Sequence, residues 1–180
     1  MLKGNEMKKI IWLGLITSAM FLLSFGIANS SFASQLSNKT FPKTLTVTHG
    51  ALVPGAGTHA LDLGQPGASV GDQIVIYVPL SKPAGYLTGT LTTTALNVPK
   101  TGKQIRQARL SFNFSSTSND TLEVQGTSVY EVISPTLSIG TRTVRAVVGG
   151  TGRYSGMNGY VVTTHPSADK WIHTFHLRNS

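Results

Sequence analysis

The five histidines are the residues of this chain most suited to metal binding or proton transfer. They are His49, His59, His165, His173 and His176. His173 and His176 are three residues apart, and an odd separation places two side chains on opposite faces of a strand. No Asp or Glu lies beside them at a spacing typical of metal ligands. We therefore expect structural or surface histidines, with no metal and no organic cofactor.

A second pattern, Gly-x-Ser-x-Gly, occurs at residues 67–71 and offers Ser69 as a nucleophile. A nucleophile elbow needs a strand before the serine and a helix after it. Here Ser69 follows a stretch rich in Gly and Pro and precedes a β-branched run, so the context is reversed. The chain contains no cysteine, which excludes disulfides and thiolate chemistry. Neither nucleophile-based hydrolysis nor a disulfide scaffold is favoured.

A third group of residues could surround an apolar molecule, since aromatic side chains provide wide walls and polar tips. Arg106 shares the face of an alternating segment with Leu110 and Phe112, and a buried guanidinium would need an anionic partner or ligand. Small strand residues such as Gly126 would leave space between the aromatic rings. The alternative is that the aromatic side chains simply fill a core. We predict a ligand-binding cavity formed by Tyr77, Arg106, Phe112, Tyr130, Trp171 and His173.

The segments that must position these residues are predicted to be β-strands. Residues 104–114 alternate, with Arg106, Leu110 and Phe112 on one face, and residues 170–177 place Trp171 and His173 on one face. Residues 141–148 place Val144, Ala146 and Val148 opposite Arg145. Residues 50–70 are rich in Gly, Pro and Ala and predict a long loop. The eight predicted strands are residues 44–49, 72–80, 86–96, 104–114, 121–130, 141–148, 160–164 and 170–177.

Eight short strands joined by turns, with no amphipathic helix after Ala33, predict an all-β antiparallel domain. A sheet of this size either forms a sandwich or closes on itself, and closure removes the edge strands. We expect a single closed eight-stranded barrel over residues 44–180. A barrel of this size is just wide enough to hold one small ligand.

The first 33 residues predict export. Lys3, Lys8 and Lys9 precede an apolar run, residues 10–27, and small residues end the segment. We expect cleavage after Ala33, a flexible segment over residues 34–43, and a secreted or periplasmic product. The alternative is an uncleaved membrane anchor. Without that anchor, no stable membrane insertion is expected.

The chain is basic, with a formal net charge of +8, and 12% of its residues are charged. A basic protein can attract nucleic acid or anionic surfaces. Here the cations are spread along the chain, with local groups at residues 100–109 and at Arg142 with Arg145. This spread predicts a solvated basic surface, Arg145 included, and no nucleic-acid site.

Residues 146–164 (AVVGGTGRYSGMNGYVVTT) resemble the allene oxide cyclase and dirigent superfamily. The stretches GD at 71–72, SFNF at 111–114, LEVQG at 122–126 and WIHTFHL at 171–177 resemble it in order and spacing. The glycines of the motif would permit positive φ in a tight reversal, with Arg153 and Tyr154 packing across the barrel end. We predict this structural turn from Gly149, Gly150, Gly152, Tyr154, Gly156 and Gly159.

The resemblance implies a barrel with an apolar cavity, often in a homodimer or homotrimer, whose members steer stereoselective cyclisation or coupling. If this chain is an enzyme, it is an isomerase-like or cyclase-like one. Plant allene oxide cyclases carry a glutamate on an early strand, and residues 44–49 here hold no carboxylate. No residue is therefore assigned a catalytic role. Two alternatives stay open: a non-catalytic carrier of a lipid or apolar metabolite, and a structural or surface-interaction barrel with a filled interior.

Overall fold

The computed structural model describes residues 44–115, 119–132 and 134–179. The predicted signal peptide, residues 1–33, and the segment 34–43 lie outside these residues, so both stay predictions. The strands are β1 (Thr44–His49), β2 (Thr58–Leu61), β3 (Gln73–Lys82), β4 (Gly85–Leu96), β5 (Lys103–Asn113), β6 (Thr121–Glu131), β7 (Arg142–Gly150), β8 (Met157–Ser167) and β9 (Lys170–Asn179).

The sheet is antiparallel and closes into a barrel. Its strand order is β1-β9-β8-β7-β6-β5-β4-β3-β2, and β1 also pairs with β3 at Thr48–Lys82 and His49–Leu80, so that all strands except β2 lie in the ring. Eight strands therefore form a closed ring, as the sequence predicted, and this all-β fold is confirmed. None of the described residues forms a helix with the length and hydropathy of a membrane span.

The predicted loop over residues 50–70 is wrong in one respect, because it contains the short strand β2. This strand pairs with the first half of β3, from Thr58 opposite Ile76 to Leu61 opposite Gln73. Strand β1 reaches only the far end of β3. Without β2, the start of β3 would be an unpaired edge, and unpaired backbone groups are costly unless solvated.

Alternation sets which side chains enter the core. In β9, Trp171, His173, Phe175 and Leu177 are all buried, as their shared face predicted. Phe112 and Phe175 are fully buried and meet edge to face, with ring centroids 5.0 Å apart. This pair anchors the middle of the barrel, and burying each ring stabilises the fold by about 2–3 kcal/mol.

The glycines of the predicted turn differ in secondary structure and backbone conformation. Gly149 and Gly150 lie in strand β7, where the sequence predicted a turn with positive φ. Gly152 has a φ of +57° and begins a short 3-10 helix that ends at Tyr154. Tyr154 is buried against Phe114, with ring centroids 4.9 Å apart, whereas Arg153 is exposed and its guanidinium lies over the ring of Tyr154.

Gly156 and Gly159 complete the turn before and within β8. Their φ angles are +77° and +141°. A Cβ at Gly159 would lie 2.0 Å from the carbonyl oxygen of His176, so β9 leaves no space for a side chain there. The strand β8 begins at Met157, three residues before the predicted start at Tyr160.

Candidate ligand-binding site in the barrel core

The barrel core contains a small cavity near one end. Its volume is about 40 Å³, and most of its lining is apolar. Leu52 and Leu137 reach it from the β1–β2 and β6–β7 connections, which leave the barrel at the same end. The other apolar lining residues are Ile76, Leu87, Leu91, Leu110 and Trp171.

The polar side of this cavity centres on Arg145 and Tyr130. Nη2 of Arg145 donates a hydrogen bond of 2.8 Å to the hydroxyl oxygen of Tyr130. Only 4% of Arg145 is exposed, and its Nε has no partner among the described residues. Burial raises the pKa of Tyr130, although Arg145 and Arg106 oppose that rise. Tyr130 therefore keeps its proton at neutral pH and can donate it to a ligand oxygen.

Two histidines complete the polar side. His49 Nδ1 donates to the carbonyl oxygen of Gly50 at 2.7 Å, since a carbonyl only accepts. Burial lowers the pKa of His49 to about 4. Of two smaller effects, the hydrogen bond to Gly50 raises this pKa and the electrostatic interaction with His165 lowers it. Burial, with His49 and Arg145, also holds the pKa of His173 well below its usual value. Both imidazoles are therefore neutral at pH 7.

His173 is held by Thr163, whose hydroxyl lies 2.9 Å from Nδ1. Its other ring nitrogen, Nε2, is buried without a partner among the described residues. The ring also stacks at 5.1 Å on His49, which stacks at 5.7 Å on Trp171. These contacts fix the imidazole planes, so His173 and His49 present defined nitrogen atoms rather than mobile side chains.

A second space, an open recess of about 330 Å³, lies beside the cavity. Arg106 lines it, and its Nη1 donates to the carbonyl oxygen of Pro135 at 2.9 Å. The Arg106 guanidinium carbon lies 4.9 Å from the ring centroid of Tyr130, whose side chain lines the cavity. Arg106 and Tyr130 thus separate the recess from the cavity.

The structure brings together three of the six predicted cavity residues, namely Tyr130, Trp171 and His173. Phe112 is fully buried below them, with its ring edge to face with His173 at 4.9 Å. Arg106 is buried as well, but it lines the neighbouring recess. Ligand binding by these residues stays a prediction.

The predicted place of Tyr77 in the cavity is wrong. It is 54% exposed and packs on Tyr86 outside the barrel, with ring centroids 5.9 Å apart. The inward face of β3 carries Ile74, Ile76, Val78 and Leu80. Tyr77 lies between two of these residues, so its side chain points to the opposite face of the strand. The alternation of the aliphatic residues was the signal that could have excluded Tyr77 from the cavity.

Arg145 and His49 are the site residues that sequence reasoning missed. The prediction of a solvated Arg145 is wrong, because Arg145 and Val147 face inward while Val144 and Val148 are about half exposed. Both faces of β7 carry valines, so alternation alone did not distinguish them. His49 was the last residue of a predicted strand, and its inward direction follows from pairing with Trp171 of β9.

The candidate nucleophile Ser69 and the candidate metal ligands do not form a catalytic or metal site among the described residues. Ser69 donates its hydroxyl to Asp72 at 2.8 Å, a contact that holds the loop before β3. Among the described residues, no three His, Asp or Glu side chains group in a way that could hold a metal ion.

No protein-family model and no curated protein matches the chain. Solved structures do match. A pyocyanin demethylase is similar with a TM-score of 0.55 and 19% identity, over 75% of this chain and 99% of its own. A pterocarpan synthase dirigent protein has a TM-score of 0.51 and 14% identity, over 79% and 94%.

A Diels–Alderase from Streptomyces koyangensis has a TM-score of 0.51 and 16% identity, over 82% of this chain and 73% of its own. At such identities the likeness shows the fold. The closed eight-stranded ring and these matches together show that the chain has the barrel fold of the dirigent and cyclase-type proteins.

Proposed function

We propose that the protein binds an apolar small molecule in the barrel core and steers its ring closure or coupling toward one stereoisomer. The observation that carries the proposal is the cavity wall, where the polar side chains of Arg145, Tyr130 and His173 meet a lining that is mostly apolar. The structurally similar proteins, a dirigent protein and a Diels–Alderase among them, support this class of function.

The chain's own residues would act mainly by orientation. The apolar side chains would exclude water and hold the carbon skeleton in one conformation. Arg145 and Tyr130 would fix one oxygen atom of the molecule, which sets its direction in the barrel. A neutral His173 can accept or donate a hydrogen bond beside that oxygen, because burial holds its pKa well below the usual value and keeps the ring uncharged at pH 7.

The small size of the cavity supports a second candidate function, a structural barrel with a filled interior. A cavity of about 40 Å³ holds a small group rather than a whole substrate. A larger molecule would have to displace lining side chains such as Leu52 or Leu137, which reach the cavity from the connections at one end of the barrel. The two candidates therefore differ in whether these leucines can be displaced by a ligand.

Leu137→Ala distinguishes the candidates. Leu137 is buried at the cavity, whereas Ile139 in the same connection is 59% exposed, so Ile139→Ala is the matched control. The purified protein is titrated with 8-anilinonaphthalene-1-sulfonate, and native mass spectrometry records any compound that copurifies. We expect binding by the wild-type protein and tighter binding by Leu137→Ala than by Ile139→Ala. No copurifying compound and no probe binding by any variant would establish the filled barrel.

We also propose that residues 1–33 direct export and are removed after Ala33. The apolar run and the small residues that follow it support this. The intact mass of the protein recovered from the periplasm or medium would begin at Ser34. Recovery of the full-length chain with the membrane fraction would contradict it. The same native spectra test the expected homodimer or homotrimer.

A further inference from the structure

We infer that the ligand of the proposed function carries one anionic oxygen group, a carboxylate or an ionised phenol, held by Arg145 and Tyr130. This inference rests on the proposed function, and it names the class of molecule. Three features of the cavity wall support it: its positive charge, the space occupied by Arg145, and the hydrogen-bond donors that have no acceptor there.

Arg145 has no acidic side chain as its counter-ion among the described residues. The chain has seven acidic residues, and six lie in the described residues. Each of the six bonds to another group: Asp120 with Arg153, Glu131 with Lys103, Glu123 with Ser111, Asp72 with Ser69, Asp169 with Ser167, and Asp62 with the backbone of Gly67. None of these six is buried, and none is bonded to Arg145. The guanidinium therefore lies in the core without an acid beside it among the described residues.

The side chain of Arg145 packs against Gly126 on the neighbouring strand. A Cβ at position 126 would lie 3.1 Å from Cγ of Arg145 and 3.2 Å from its Cβ. The stem of Arg145 thus occupies the volume that a side chain at position 126 would need. The paired residue of Gly126 on β5 is Ala108, which is also small. The absence of a side chain at position 126 therefore leaves room for the stem of this cation.

Tyr130 and Arg145 each have a hydrogen-bond donor available on the cavity wall. Tyr130 accepts from Arg145, so its own proton is directed elsewhere. Nε of Arg145 has no partner among the described residues. Two donors on one wall suit one oxygen anion, and hydrogen bonds to a charged group are the strong ones. The cavity, at about 40 Å³, has room for a carboxylate or a phenolate oxygen, while the apolar lining suits a hydrocarbon body.

The positive charge at the cavity comes from arginine side chains and not from the histidines. His49 and His173 face the same cavity and are uncharged at neutral pH, so they add no positive charge. Arg106 contributes a second guanidinium across the ring of Tyr130. An anion placed at Arg145 therefore gains an attraction that a neutral isostere does not, and low dielectric strengthens that attraction.

The test compares an acid with its amide. Naphthalene-2-carboxylate and naphthalene-2-carboxamide have nearly the same shape, and calorimetry gives the affinity of each for the purified protein. The variants are Arg145→Met, which keeps the length of the side chain, and Tyr130→Phe. The control is Arg109→Met, because Arg109 lies on β5 but is exposed.

We expect the carboxylate to bind about 10–100-fold more tightly than the amide to the wild-type protein and to Arg109→Met. Arg145→Met is expected to lose this preference, and Tyr130→Phe to reduce it. Equal affinities in the wild-type protein, or a preference retained by Arg145→Met, would overturn the inference while leaving the proposed function standing.

Absence of binding by both naphthalene compounds would count against the proposed function and still leave the inference testable. Acetate is small enough for the cavity, so its effect on thermal unfolding is measured against equal concentrations of acetamide and chloride. Stabilisation by acetate in the wild-type protein and its loss in Arg145→Met support the anion site. Equal midpoints in all three solutions overturn it.

Discussion

Gly126 lies beside Arg145 so closely that a Cβ at position 126 would be 3.1 Å from Cγ of the arginine. The contact joins β6 to β7 on the face of β6 that carries the buried Leu122 and Val124. A glycine in a strand usually weakens it, and one of its uses is the close approach of another group. Here the group that approaches is the cation of the candidate site.

Gly126→Ala is therefore expected to displace the Arg145 side chain and to destabilise the barrel by about 1–2 kcal/mol. Urea unfolding measures the change in free energy. Thr127→Ala, at the neighbouring position, is the control. A Gly126→Ala protein as stable as the wild type, with Arg145 still bonded to Tyr130 in a crystal structure, would contradict the prediction.

Gly149 and Gly150 are expected to differ sharply when each is replaced by alanine. A Cβ at Gly149 meets nothing within 4 Å, so Gly149→Ala should change stability by less than about 0.5 kcal/mol. A Cβ at Gly150 would lie 2.7 Å from the carbonyl oxygens of Thr121 and Tyr154. Gly150→Ala should therefore cost about 2 kcal/mol, because backbone must move. Thermal unfolding of both variants checks this, and equal midpoints would contradict it.

The stability of the barrel is expected to fall as the pH decreases from about 6.5 toward 4. His49 has a pKa of about 4 in the folded protein, against 6.5 in the unfolded chain. The unfolded chain therefore binds a proton first, which favours unfolding within this window. For His49 alone the loss approaches about 3 kcal/mol at the lower end. His173, whose pKa is also lowered, adds to it in the same direction.

Urea unfolding at pH values between 7.5 and 4.5 measures this loss, and His49→Gln should remove part of it. His59→Gln, at an exposed position, is the matched control. The range stops above the pKa of Asp72, which hydrogen bonds from Ser69 lower further. Identical pH profiles for His49→Gln and the wild type would show that His49 does not contribute.

Phe112 and Tyr77 provide a contrast between the inside and the outside of the barrel. Phe112→Ala removes a fully buried ring that meets Phe175 and His173, and it should destabilise the protein by about 3–5 kcal/mol. Tyr77→Ala removes a ring that is 54% exposed, and it should cost less than about 1 kcal/mol. Calorimetric unfolding of the two variants measures both changes. Similar losses would mean that Tyr77 contributes to the core.

The sequence by itself determined the eight strands of the ring and several of their faces, because alternation is a local property. Residues 103–113 and 170–179 carry their inward side chains at every second position, so the pattern of residue types alone places Phe112, Trp171 and His173 in the core. The same rule, applied to Ile74 and Ile76, would have put Tyr77 outside. Closure of the ring also followed, since open edges in a sheet of this length are unfavourable.

Only the tertiary structure decided where the cation of the candidate site lies. Both faces of β7 are compatible with burial, because Val144 and Val148 alternate with Arg145 and Val147. Pairing with β8 and the space beside Gly126 turn Arg145 inward. The hydrogen bond from Arg145 to Tyr130 joins two different strands, and such a meeting depends on register and packing across the barrel rather than on any local pattern.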